Sequence, residues 1–124
     1  MAIAEFSLVA LDSDDSKGLC EFYQSITGWD VRPMEDEDDW YQLMSPTGAT
    51  LAFQQIEEYQ APTWPGGERP QQLHLDFDVA DLDIAEPLVL ELGAVKAEAQ
   101  PFPDHFRVYF DPAGHPFCLV LRGA

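Results

Sequence analysis

The chain has 124 residues, 46% of them hydrophobic, and 23 acidic against 6 basic side chains give it a net charge of −17. These figures describe one compact, acidic, soluble domain that can bury its own core, and they exclude a binder of nucleic acid or of anionic membranes, which needs the opposite charge. No run nears the ~18 apolar residues of a membrane span, residues 1–5 lack a signal peptide's cationic flank, and Cys20 and Cys118 show no metal or disulfide spacing. A reducing, cytoplasmic location is expected.

In chain order, residues 3–11 read as a strand. Leu19, Phe22, Tyr23 and Ile26 then follow the i, i+3, i+4, i+7 spacing of an amphipathic helix, capped by Asp14 or Asp15 and stopped by Gly28. Short β-prone runs are predicted over 29–34, 40–44 and 50–57, with the acidic run 35–39 as an exposed loop. Residues 59–70, rich in Pro and Gly, form a linker. Residues 72–79 alternate, with Leu73, Leu75, Phe77 and Val79 on a core face and His74, Asp76 and Asp78 on the other. A helix over 84–92 carries Leu88 and Leu92 at i, i+4, with Pro87 in its first turn or kinking it. Strands are predicted over 94–99, 106–110 and 117–122.

This order is a repeat. Asp15 and Asp81, Pro46 and Pro112, and Gly48 and Gly114 are each 66 residues apart, and Gly28 and Gly93 are 65 apart. Two βαβββ modules follow, about 1–58 and 72–124, joined by a linker of about 59–71 within a single domain, 1–124. Neither module can bury its sheet face alone. The expected α+β fold therefore pairs them into a partly open curved sheet or barrel around a central cavity.

The residues that carry a family resemblance are Phe22-Tyr23, Thr27-Gly28-Trp29, the linker's Pro62-Thr63-Trp64-Pro65, the run from Pro70 through His74 to Asp76, Leu92-Gly93-Ala94, and the stretch from Asp111 through Gly114 to Cys118. On these the chain resembles the vicinal oxygen chelate superfamily, in particular its glyoxalase-like and bleomycin resistance-like proteins, over nearly its whole length. The resemblance implies the glyoxalase/bleomycin resistance/dihydroxybiphenyl dioxygenase fold and a homodimer. It also implies a divalent metal (zinc, nickel, manganese or iron) held by one residue from the first strand and one from the last strand of each module. His74 stands at one such position. Cys118 stands where a glutamate is usual, and the 66-residue shift makes Leu8 and Ala52 the first-module equivalents. Glu5 and Gln54 would enter the site only if the strand register slips by one or two residues.

Candidate cavity residues are thus His74, Asp76, Gln54, Cys118, Trp64 and Arg107, with His74 and, after a slip, Glu5 as metal ligands. His74 reads either as a ligand or acid–base group or as a half-buried ring oriented by Asp76. Cys118 reads as a cavity residue or as a small buried hydrophobe. Trp64, an indole in a Pro-rich linker, needs a partner surface, at the cavity mouth or on another subunit. His115 belongs to a turn and His105 to a rim.

Two functions compete. In the first, the central cavity binds a cationic or aromatic small molecule without a complete metal site, since charge and aromatics would concentrate and stack such a ligand. In the second, a metal-dependent lyase, isomerase or dioxygenase of the glyoxalase I type polarises two vicinal oxygens. A scaffold kept only for regulation is a third.

Overall fold

The computed structural model describes residues 2–32 and 39–122. Residues 33 and 34 of the second expected strand and residues 35–38 of the acidic run lie outside these. The chain divides into two units, Met1–Tyr59 and Gln60–Ala124. Each unit is a βαβββ module with one four-stranded mixed sheet, so the fold is α+β.

In the first unit β1 (Val9–Ser13) leads into α1 (Ser16–Thr27), which Asp15 caps. The Asp15 carboxylate accepts the Gly18 N–H at 3.0 Å, satisfying one of the donors a helix start leaves open, while Ser13 Oγ accepts the Asp15 N–H at 2.9 Å. The helix buries Leu19, Phe22 and Tyr23, and Tyr23 stacks on Phe53 with ring centroids 5.7 Å apart. β2 (Asp30–Arg32), β3 (Trp40–Met44) and β4 (Thr50–Gln55) complete a sheet of order β1-β4-β3-β2, in which β1 runs parallel to β4. Gln55 ties the sheet to the helix: Oε1 accepts the Ser16 N–H at 2.9 Å and Nε2 donates to the Asp14 carbonyl.

The second unit repeats the plan with β5 (Leu75–Val79), α2 (Leu82–Glu91), β6 (Val95–Lys96), β7 (Phe106–Phe110) and β8 (Pro116–Leu121), in the order β5-β8-β7-β6. Asp81 caps α2 by accepting the Ile84 N–H at 3.1 Å. The 66-residue offset extends to single hydrogen bonds. Ser45 donates to the Ala49 carbonyl and Gly48 to that of Ser45, as Asp111 donates to His115 and Gly114 to Asp111.

Several elements depart from the sequence expectation. β1 begins at Val9, where parallel pairing with Leu51 starts; Ile3 and Phe6, ahead of it, are exposed. β4 stops at Gln55, β6 is two residues long, and α2 begins at Leu82 with Pro87 inside it. Leu88 and Leu92, the spacing expected to be core, are exposed, and α2 buries Leu82 and Val89 instead. Its apolar residues lie on every side, so periodicity alone does not select a face. Among the described residues no helix is long and apolar enough to cross a membrane.

Candidate functional site

Strand alternation sorts the second sheet into two faces. On the α2 side, Tyr109 stacks on Phe117 at 5.5 Å and its Oη donates to Glu86 of α2 at 2.9 Å, while Phe77 meets Phe117 edge-on. On the other side Val108, Cys118 and Ala97 form a buried cluster against which Trp64, Phe106, Phe110 and Val120 pack. A cavity of about 370 Å³ opens on this second side, lined by Trp64, Gln71, His74, Asp76, Phe106 and Cys118, with two valines and two prolines completing its walls. That size suits a small organic molecule.

Trp64 reaches the cavity because the linker closes on itself. Thr63 donates its N–H to the Arg69 carbonyl at 2.7 Å, Arg69 returns its N–H to Thr63 Oγ1 at 3.1 Å, and the Arg69 Nε donates to the Ala61 carbonyl at 2.9 Å. The strap so formed sets the indole edge-on to Phe110, ring centroids 6.4 Å apart.

The polar end of the cavity is His74, Asp76 and Cys118, whose nearest ligand-type atoms all lie within 4.8 Å of one another. His74 Nε2 is 3.2 Å from Asp76 Oδ1. Cys118 faces Asp76 directly across the parallel β5–β8 pair. Burial, and then the charge of and hydrogen bond to Asp76, push the Cys118 thiol up to about 12, so at neutral pH it is protonated and donates toward the carboxylate. Among the described residues no lysine or arginine lines the cavity.

The expected site residues fall into three groups. His74, Asp76, Cys118 and Trp64 come together in the second unit. Arg107 does not join them. It shares a strand face with Tyr109, and its guanidinium binds Asp83 at 2.8 Å and Glu86 at 3.6 Å, both on α2; the alternation that puts Phe106 and Val108 in the cavity forces it away. Gln54 and Glu5 belong to the first unit, exposed at the end of β4 and ahead of β1 respectively. His115 holds a turn by donating its backbone N–H to Asp111 Oδ1 at 3.0 Å, and His105 stacks on Phe102 at 4.3 Å.

Sequence reasoning missed Gln71. The residue is among those that line the cavity, and its Oε1 is buried with no hydrogen-bond partner among the described residues. An amide oxygen left so costs about 1–3 kcal/mol. Gln71 precedes β5, so no strand periodicity marked it.

The metal centre that the resemblance implies needs ligands from both modules. β1 and β4 pair Ala10 with Ala52 as β5 and β8 pair Asp76 with Cys118, so the 66-residue equivalence is structural. Leu8, Ala10 and Ala52 then stand where His74, Asp76 and Cys118 stand in the second unit, and hydrocarbon side chains ligate nothing. The residues present do not fit the two-module centre.

Residues 8–120 match the family model of a glyoxalase-like domain. No curated protein matches the sequence. Solved structures with the same fold include a glyoxalase/bleomycin resistance protein/dioxygenase family enzyme from Burkholderia phytofirmans PsJN, at 19% identity and TM-score 0.70, covering 95% of this chain and 98% of that one. A glyoxylase/bleomycin resistance protein/dioxygenase domain from Frankia sp. EAN1pec has 21% identity and TM-score 0.63, covering 97% and 98%. A mutant of the fosfomycin resistance protein FosX from Listeria monocytogenes, complexed with Mn(II) and 1S,2S-dihydroxypropylphosphonic acid, has 15% identity and TM-score 0.70, covering 96% and 90%.

Proposed function

Because this chain belongs to the glyoxalase-like domain family, we propose that it binds a small molecule in the cavity of its second module without the family's two-module metal centre. One observation carries this reading. The positions that hold His74, Asp76 and Cys118 in the second module hold Leu8, Ala10 and Ala52 in the first, so the ligand atoms are on one side only. A carboxylate oriented by an imidazole and a thiol at one end, with Trp64 and Phe106 in the walls, favours a cationic or aromatic ligand over an anion. The protein is expected to work as a cytoplasmic homodimer, which light scattering checks separately.

The test is the metal content of untagged protein, measured by elemental mass spectrometry before and after loading with zinc, nickel, manganese and iron(II), with His74→Ala as control. The expected result is no stoichiometric metal, together with saturable thermal stabilisation by small aromatic cations. Stoichiometric metal lost in His74→Ala would overturn the reading. The three converging ligand atoms would then support the lyase, isomerase or dioxygenase alternative.

A further inference from the structure

A second cavity lies beside the first. It has a volume of about 470 Å³ and is lined by Trp64, Pro65, Ala97, Glu98, Ala99 and Phe110, so Trp64 is a wall common to both. The sheet register makes them neighbours. Asp76 pairs with Cys118 and Cys118 with Val108, and the Ala97 N–H donates to the Val108 carbonyl at 3.1 Å, so one row crosses β5, β8 and β7 and ends at Ala97, the residue after β6. Asp76, Cys118 and Val108 line the first cavity and Ala97 lines the second, while Ala97, Val108 and Cys118 form the single buried cluster beneath them. Three strand spacings of ~4.8 Å make this row ~14 Å long, more than one aromatic ring and its head can cover.

The second cavity is held from both sides. Gln100 Nε2 donates to the carbonyls of Ala97 and Val108 at 2.9 and 2.8 Å, and its Oε1 accepts the Val108 N–H at 2.9 Å, which pins residues 97–100 against β7. The strap closed by Thr63 and Arg69 carries Trp64 and Pro65 on the other side. Apart from Glu98, which is exposed, the lining is hydrocarbon and aromatic ring. The first cavity thus has a polar end, and the second offers an apolar surface fixed in advance.

We propose that the two cavities form one bipartite site for an elongated cation with two flat apolar bodies: its charged head and first ring occupy the Asp76 cavity, and its second ring lies beyond Trp64 against Phe110. The inference rests on the small-molecule-binding reading above and adds the ligand's shape and chemical class. Asp76 attracts the head. The second cavity contributes through apolar area removed from water, which a one-ring cation leaves wet. The two rings need a flexible join, because the ligand has to pass Trp64 on its way along the row.

Calorimetry with two probes tests this: benzylammonium, with one ring, and 4-(benzyloxy)benzylammonium, with two rings on a flexible join. Each is titrated into wild type, Ala99→Phe, Ala99→Leu and Asp76→Asn, with circular dichroism to confirm that the variants are folded. Wild type is expected to bind the two-ring cation at least about tenfold more tightly. Ala99→Phe places a ring in the second cavity and should cut that ratio below about twofold, and Ala99→Leu, gentler on the fold, should leave an intermediate ratio. Asp76→Asn should weaken both probes and keep the ratio. A wild-type ratio near one, or a ratio unchanged in both Ala99 variants, would overturn the proposal and leave the cavity reading standing, as would failure of both probes while other compounds stabilise the protein. Failure of both probes with no stabilisation by any compound in the thermal screen would overturn both readings.

Discussion

Asp76 and Cys118 face each other across the parallel strands β5 and β8, and the same register in the first unit pairs Ala10 with Ala52. The pairing makes the thiol a donor to the carboxylate and not a nucleophile. Cys118 is therefore expected to react with iodoacetamide at pH 8 at least about tenfold more slowly in the folded protein than in urea, as read by peptide mass spectrometry. Asp76→Asn removes the charge, the second cause of the raised pKa, and leaves burial, the larger one, together with an amide oxygen that can still accept from the thiol. Labelling should become faster in that variant but stay slower than in the unfolded chain. Labelling at the unfolded rate in wild type would contradict the geometry.

Both cysteines also set an alkaline limit on stability. Burial first, and then Glu21, push the Cys20 thiol up to about 11, and Cys118 stands at about 12, against an ordinary value of 9.0. Above pH 9 the unfolded chain gives up protons that the folded chain keeps, so stability is intact below that pH and falls as pH rises toward the folded values. Urea midpoints measured from pH 8 to 11 should decline, and a Cys20→Ala/Cys118→Ala double variant should decline less steeply, whatever its starting stability.

Glu86 collects three partners under α2: Tyr109 Oη at 2.9 Å, Lys96 Nζ at 2.9 Å and the Arg107 guanidinium at 3.6 Å. Burial alone would raise its carboxyl pKa. The hydrogen bonds from Lys96 and Tyr109, with the charges of Lys96 and Arg107, outweigh burial and hold it below the ordinary 4.5. Glu86 thus contributes stability that is present above about pH 4.5 and is lost as pH falls through its lower folded value. Tyr109→Phe should cost about 1–2 kcal/mol at neutral pH and less in acid. Arg107→Met should cost about 1–3 kcal/mol, chiefly through Glu86, because Asp83 is exposed and that ion pair is worth little. Chemical denaturation checks both. Ligand affinity should be unchanged in Arg107→Met, since the guanidinium lies on the α2 side of the sheet; a loss of affinity would return Arg107 to the cavity.

How much of this was legible differs from element to element. The module repeat could be read from aspartates, prolines and glycines at a constant offset, because caps and turns demand particular residues. The face of Asp76 followed from alternation along β5; His74, just ahead of that strand, lines the same cavity, whereas Leu73, expected in the core by the same alternation, is exposed. Arg107 was misplaced although the same rule applied, since Phe106 and Val108 are both apolar and their parity fixes its direction. The exposed Leu88 and Leu92 were not readable, because the residues of α2 are apolar on every side and only tertiary packing selects Leu82 and Val89. Gln71 was out of reach for another reason: its importance is an unpaired oxygen, which exists only once the surrounding chain is folded.

The two turn glycines provide a matched pair for testing how the strap is held. Gly48 and Gly114 occupy the same place in the two modules and have φ of +103° and +89°, which side-chain-bearing residues rarely adopt. A methyl group at Gly48 would meet nothing within 4 Å, so Gly48→Ala should cost only the backbone strain, about 1–3 kcal/mol. At Gly114 the same methyl would sit 2.7 Å from Ala61 Cβ, at the root of the strap that carries Trp64. Gly114→Ala should therefore cost a further ~1–3 kcal/mol from overpacking, read as the difference between the two urea midpoints. It should also shift the emission of Trp64 in a Trp29→Phe/Trp40→Phe background, where Gly48→Ala should not. Equal costs with no change in emission would mean that the strap yields freely at Ala61, and Trp64 would then be a loosely held wall of the cavity.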